Sequence, residues 1–269
     1  MTNTIPTNRR KVRLLAAASA LVVGLGLVVA SGHAAQNETE SQSMIRQEPA
    51  SVALSARQQS IPLIAAFMAM SDMPKLSAAL NQGLDAGLTV SEAKEILVQL
   101  YAYTGFPRSL NALQELMKVV AARQQSGIHD IVGREPGRAI PTGDALIVAG
   151  TSNQTKIAGA TVKGAVFDFA PVINQFLQTH LFGDIFERDN LDWQSRELAT
   201  VGALAATPGV EAQLRSHMAA SMRVGLTVTQ LRQLTQILTE HCDADTARRA
   251  DHALTEALAV IRKENPHFD

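Results

Sequence analysis

The sequence predicts an all-α protein, a helical bundle of two duplicated units behind an N-terminal leader. Three observations predict it. From about residue 51 onward, apolar residues recur at spacings of three and four. Helix caps and glycine stops punctuate these runs. A helix-start pattern also recurs, with GLTVSEAKEIL from Gly87 echoed by GLTVTQLRQL from Gly225. With 46% hydrophobic and only 4% aromatic residues among 269, the composition suits helices buried on more than one side.

Taken in order, the chain begins with a leader. Residues 1–13 are polar and carry Arg9, Arg10, Lys11 and Arg13. Residues 14–30 are an unbroken run of small and aliphatic side chains, and Ser31-Gly32-His33-Ala34-Ala35 follows. A basic start, an apolar middle and a small-residue end are the three parts of a secretory signal peptide. Cleavage is expected near Ala34 or Ala35, with the mature protein periplasmic or secreted and not stably membrane-associated. An uncleaved anchor is the other reading of the same run, which is short for a span. Beyond residue 35 there remain 20 basic and 25 acidic residues, a formal charge of −5. That balance gives no support for nucleic-acid binding. Cys242 is the only cysteine, so no disulfide forms within the chain.

Residues 36–50 read as a flexible linker, 51–123 as the first unit, 124–168 as a connection and 169–263 as the second unit. In the first unit, helices are expected over 61–70, 75–86, from Thr89 to about 103, and over 108–123. Thr89 with Glu92 forms a capping box. The last of these helices is expected to turn Leu110, Leu113, Leu116, Met117 and Val120 inward. The connection is glycine-rich and shows no sustained period. Within it, 143–148 reads as a short strand or loop and 155–160 as a helical turn. Pro171 opens the helix PVINQFLQTHLFGDIF.

Residues 196–231 organise the rest. One helix runs from about 193 to 206 and is broken at Pro208-Gly209; a second runs from about 210 to 224 and stops at Gly225. Trp193, Glu197, Val201 and Leu204 share one helical line, and Val210, Leu214, His217 and Ser221 share another. Glu197 and His217 are equidistant from Thr207 at the turn, so a folded hairpin brings a carboxylate and an imidazole to the same level. When the two units are aligned on Gly87 and Gly225, Glu197 falls on Gln58 (with one indel) and His217 on Ala79. Only the second unit has the titratable pair.

The run FAPVINQFLQTHLFGDIFERDNLDWQSRELATVGALAA and the later EAQLRSHMAASMRVGLT resemble the carboxymuconolactone decarboxylase family, within the alkylhydroperoxidase D-like superfamily. They are closest to γ-carboxymuconolactone decarboxylases. The first unit looks like a diverged second copy, with YTGFP similar to the family's Tyr-Cys-Gly-x-Pro corner. The resemblance implies a homo-oligomer, a trimer by analogy. The peroxidase branch uses cysteines seven and four residues before the histidine; here those positions are Val210 and Gln213. Thiol peroxidase chemistry lacks its thiolate and resolving thiol.

The decarboxylase branch keeps the histidine alone. It implies His217 as general acid or base, Glu197 as its orienting carboxylate, and a small anionic molecule as substrate. Arg196 and Arg215 are the candidate anchors of a substrate carboxylate. The alternatives are an antioxidant, peroxiredoxin-like activity, as the family name suggests, and a non-catalytic binding or scaffold protein whose pair is structural. No cofactor is expected. His241-Cys242-Asp243 with Asp245 and His252 lacks standard zinc spacing, so no metal is expected either.

Overall fold

The computed structural model describes residues 53–265. The expected signal peptide and linker lie outside them. Every regular element among the described residues is helical, and none of these helices is long and apolar enough to cross a membrane.

Two helices form the centre. α1 (Ala56–Met70) buries every residue from Ser60 to Ala69, and α9 (Trp193–Ala205) buries every residue from Ser195 to Ala205. Helices buried on all sides need neighbours on all sides. They cover each other at one face, where Gly202 lets α9 approach the backbone of α1 at Pro62. A Cβ there would stand 2.4 Å from Pro62 O. The remaining faces of α1 are covered by α2 (Met73–Asp85), α3 (Val90–Gln99), α5 (Phe106–Gln125) and α11 (Val228–His241), and those of α9 by α10 (Glu211–Arg223) and α12 (Ala244–Glu264). The short α4 (Tyr101–Thr104) lies between α3 and α5.

The boundaries follow local chemistry. Ser55, Thr89 and Thr227 each close a capping box with a Gln or Glu three residues on. Gly87 and Gly225 end α2 and α10 at φ of 91° and 103°, a region where a side chain is strained. The helices repeat in phase. α2 and α10 are both 13 residues long, and their starts, Met73 and Glu211, are as far apart in the chain as Gly87 and Gly225. The starts of α5 and α12, Phe106 and Ala244, keep the same interval.

Three expectations are corrected. α5 buries Ser109, Ala112, Leu116, Val119 and Arg123. Leu110 and Met117, expected inside, are 61% and 66% exposed. The buried line is rotated from the expected one, so Leu116 stays inside, Leu113 and Val120 stay partly buried, and Leu110 and Met117 turn outward. The connection holds a full helix, α6 (Asp144–Ala158), where a strand or loop and a single turn were expected. Its apolar period is weak because only Gly150, Gln154 and Ile157 are fully buried. After α7 (Ala165–Phe169), the helix opened by Pro171 divides. α8 (Pro171–Phe176) leads into a π-helical segment, Leu177–Ile185. α6 lies against that segment so closely that a Cβ at Gly150 would stand 1.7 Å from Gln178 O. Leu181, Phe182, Ile185 and Phe186 make a second, smaller apolar cluster with Ile157 and Ala220.

Between α5 and α6 the chain crosses the N-terminus of α3. Val90 and Ser91 donate their backbone N–H groups to Ile131 O and Val132 O at 3.0 and 2.8 Å, satisfying donors a helix start leaves open. Asp189 pins the same stretch, accepting from Gly137 N at 2.8 Å and pairing with Arg134 at 3.1 Å. The Gly137 N–H, helped by Arg134, holds the Asp189 carboxyl down at about 2. A carboxyl lowered on folding stabilises above its unfolded value of ~3.9 and loses that contribution as pH falls through the folded value. Protection from hydrogen exchange over residues 131–141, taken relative to the unstructured rate at each pH, is therefore expected to fall between about pH 4 and 2. Asp189→Asn should show that lower protection already at neutral pH. Equal protection in the variant and the parent at pH 7 would refute the tether.

Candidate functional site

α9 and α10 are joined by a tight turn at Pro208-Gly209, with Gly209 at φ 86°. The hairpin sets His217 Nδ1 2.8 Å from Glu197 Oε2. Glu197 is fully buried, and the His217 side chain is 14% exposed. A buried carboxylate on Nδ1 selects the tautomer with the proton on that nitrogen and leaves the Nε2 lone pair available. Nε2 makes no hydrogen bond to the described residues. Glu197 Oε1 is buried without a partner.

A third side chain joins them from the first half of the chain. The Tyr103 and His217 rings meet nearly perpendicular, with centroids 5.4 Å apart and planes at 82°. Burial raises the Tyr103 phenol well above its usual range, and the charge of Glu197 raises it further. The hydroxyl lies near Thr200, yet it forms no hydrogen bond of normal geometry and is buried without a partner. Sequence reasoning passed over Tyr103. The available signal was its place in YTGFP, where Gly105 at φ 87° reverses the chain and holds the preceding residues against the second half.

The two candidate anion anchors go elsewhere. Arg196 is 0% exposed. It donates from Nη2 to Glu95 Oε1 at 2.9 Å and Arg188 O at 2.8 Å, and from Nη1 to Gln99 Oε1 at 2.9 Å. Burial lowers its pKa below the usual arginine value, and Glu95 offsets only part of that. Gln99 Nε2 in turn donates to Arg196 O and Thr200 Oγ1, both at 2.9 Å. Arg196 is thus a structural cation tying α9 to α3. The buried Glu95 and Gln99, also passed over, are its partners. Arg215 is two residues from His217 on α10, so it projects from a different side of the helix. It is exposed and meets Glu256 at 3.5 Å, on the rim of a shallow depression of about 290 Å³ lined by Glu211, Arg248, Arg249, His252, Ala253 and Glu256.

Two further groups bear on the chemistry. Burial, and then the charge of Asp243, pushes the Cys242 thiol up to about 11. That leaves almost no thiolate at neutral pH. On the π segment, His180 Nδ1 lies 2.8 Å from Asp184 Oδ2, with both side chains nearly half exposed. Such an exposed pair one helical turn apart contributes little. Among the described residues no group of His, Cys, Asp or Glu is arranged to hold a metal.

The described residues thus form an all-helical fold with a buried carboxylate–imidazole pair across one helical hairpin. Residues 171–256 match the model of the Carboxymuconolactone decarboxylase family, and this stretch, from α8 into α12, contains both Glu197 and His217. No curated protein matches the chain.

Proposed function

We propose that this is an exported enzyme of the carboxymuconolactone decarboxylase type, built from two fused copies of one helical unit. It moves a proton on a small anionic molecule, with lyase or decarboxylase chemistry. His217 is the acid–base group and Glu197 orients it and stabilises its charged form. The observation that carries this reading is the 2.8 Å bond from His217 Nδ1 to a fully buried carboxylate, with Nε2 left unbonded. The equal lengths of α2 and α10 and the constant interval between corresponding helix starts support the two copies. The pair belongs to the second alone, because Ala79 stands where His217 would be. Phe106, Leu110 and Met117 on α5, with Phe169, Val172 and Phe176 on α7 and α8, are exposed apolar residues that assembly with further copies of the chain would cover.

Disulfide-cycling peroxidase activity is not the reading we propose. Val210 and Gln213 occupy the positions of its thiols, and the Cys242 thiol is raised to about 11. Arg196 and Arg215 are not retained as substrate anchors, for the reasons of placement given above.

The test is an NMR titration of the His217 ring in the mature protein against small lactones and dicarboxylates, followed by turnover of whichever binds. One ligand is expected to move the ring's titration midpoint. His217→Asn should then slow its turnover by about 10²–10⁴-fold while the fold persists. A ring indifferent to every ligand, in a protein that His217→Asn merely destabilises, would make the pair structural.

A further inference from the structure

Two buried polar atoms beside His217 are unmet. They are the Tyr103 hydroxyl and Glu197 Oε1. Both side chains touch the same imidazole, one through its ring and the other through Oε2. They come from different halves of the chain, yet they do not bond each other. Buried polar groups are almost always hydrogen-bonded, and each exception calls for a partner outside the protein or a functional reason. Packing alone does not require the hydroxyl, since a phenylalanine ring would make the same perpendicular contact with His217. Thr200 lies near that hydroxyl without meeting it; its own proton goes to Arg196 O at 3.0 Å and it accepts from Gln99 at 2.9 Å.

The identity of the missing partner follows from what the two groups can exchange. A phenol held neutral offers one proton. A carboxylate oxygen offers only lone pairs. A group that takes up the phenol proton as well as meeting the carboxylate must accept from Tyr103 and donate to Glu197. A carbonyl, a carboxylate or a nitrile cannot donate, and an ammonium cannot accept. An oxygen that carries a proton does both, as in water, an alcohol or an enol. Tyr103 is fixed for this task. Its N–H donates to Leu100 O at 3.1 Å, and the corner beyond it is held by Ser109 Oγ donating to Leu97 O at 2.8 Å.

We propose that Tyr103 and Glu197 Oε1 form a hydroxyl-reading subsite beside His217, occupied by water in the free protein and by a hydroxyl or enol of the substrate in the complex. The substrate part rests on the acid–base reading above; the water part does not. The first half of the chain thereby contributes a binding residue to the site of the second. The substrate class narrows to molecules with a hydroxyl or enol at the carbon framework His217 acts on.

A crystal structure of the mature protein tests the water, and the same crystals soaked in methanol or acetonitrile test the selectivity. The expected result is an ordered oxygen within hydrogen-bond distance of both Tyr103 Oη and Glu197 Oε1. Methanol should displace it and acetonitrile should leave it in place. In Tyr103→Phe the oxygen should be lost and the His217 titration midpoint should move by ~0.3 pH units or more, because the carboxylate on Nδ1 loses a hydrogen-bond donor. An empty gap, a direct bond from Tyr103 Oη to Glu197 or Thr200, or an unchanged His217 titration in Tyr103→Phe would each overturn the subsite. So would acetonitrile displacing the oxygen, or methanol failing to. These outcomes leave the acid–base assignment standing. An inert His217 in turnover would refute that assignment and leave the ordered oxygen untouched.

Discussion

Glu95→Ala is expected to destabilise the protein by about 3–5 kcal/mol. Glu95 is 1% exposed and stands between two arginines. Its Oε1 pairs with Arg196 at 2.9 Å, and both its oxygens accept from Arg188 Nε at 2.9 Å. The two arginines respond differently to its loss. Arg188 is 31% exposed and can turn to water. Arg196 is fully buried, and without Glu95 its charge is left with only Gln99 and a backbone carbonyl. Removing one partner of a buried pair costs far more than the pair is worth as a whole, because the other charge remains desolvated. Replacing both together, Glu95→Leu with Arg196→Met, should therefore recover much of the loss. The measurement is the urea midpoint at unchanged slope, which isolates stability from any change in compactness. A loss under about 1 kcal/mol in the single variant would place Arg196 in contact with water and refute the buried pair.

Gly202→Val is expected to cost about 2–3 kcal/mol by forcing apart the two central helices. A Cβ at Gly202 would stand 2.4, 2.7 and 3.0 Å from Pro62 O, Cα and C. All three are backbone atoms of α1, so no side-chain rotation relieves the contact. Helix propensity acts the other way, since valine is the better helix former by a few tenths of a kcal/mol. The clash is several times larger and decides the sign. The effect should reach the site as well, because α9 carries Glu197. In the variant the His217 ring resonances should broaden or shift along with the lower melting temperature. A melting temperature equal to the parent's would mean that α1 and α9 do not meet at Gly202.

Much of this architecture could be read from local sequence. The capping boxes at Thr89 and Thr227, the stops at Gly87 and Gly225 and the break at Pro208-Gly209 depend on residues within one turn of each other. A linear sequence contains all of that information. The level at which Glu197 meets His217 was legible for the same reason, as both are counted from one tight turn. The helix α6 was not legible. It buries one thin line against the π segment, and its glycine records a close approach by a chain element beyond two further helices.

By itself, the sequence determined an all-helical chain, its main helix boundaries, the recurrence of the Gly87 pattern at Gly225 and the presence of a carboxylate and an imidazole on facing lines of one hairpin. Tertiary structure alone decided which of the nearby charges are free. Arg196 directly precedes Glu197, yet a helix turns consecutive side chains by about 100°, and what stands at that angle is Glu95 from another helix. Tyr103 reaches His217 only because α4 packs against α9 across the two halves. Long-range partners of this kind have no local signature. Their identity depends on which helices meet, and that is settled by the close contact of α1 with α9.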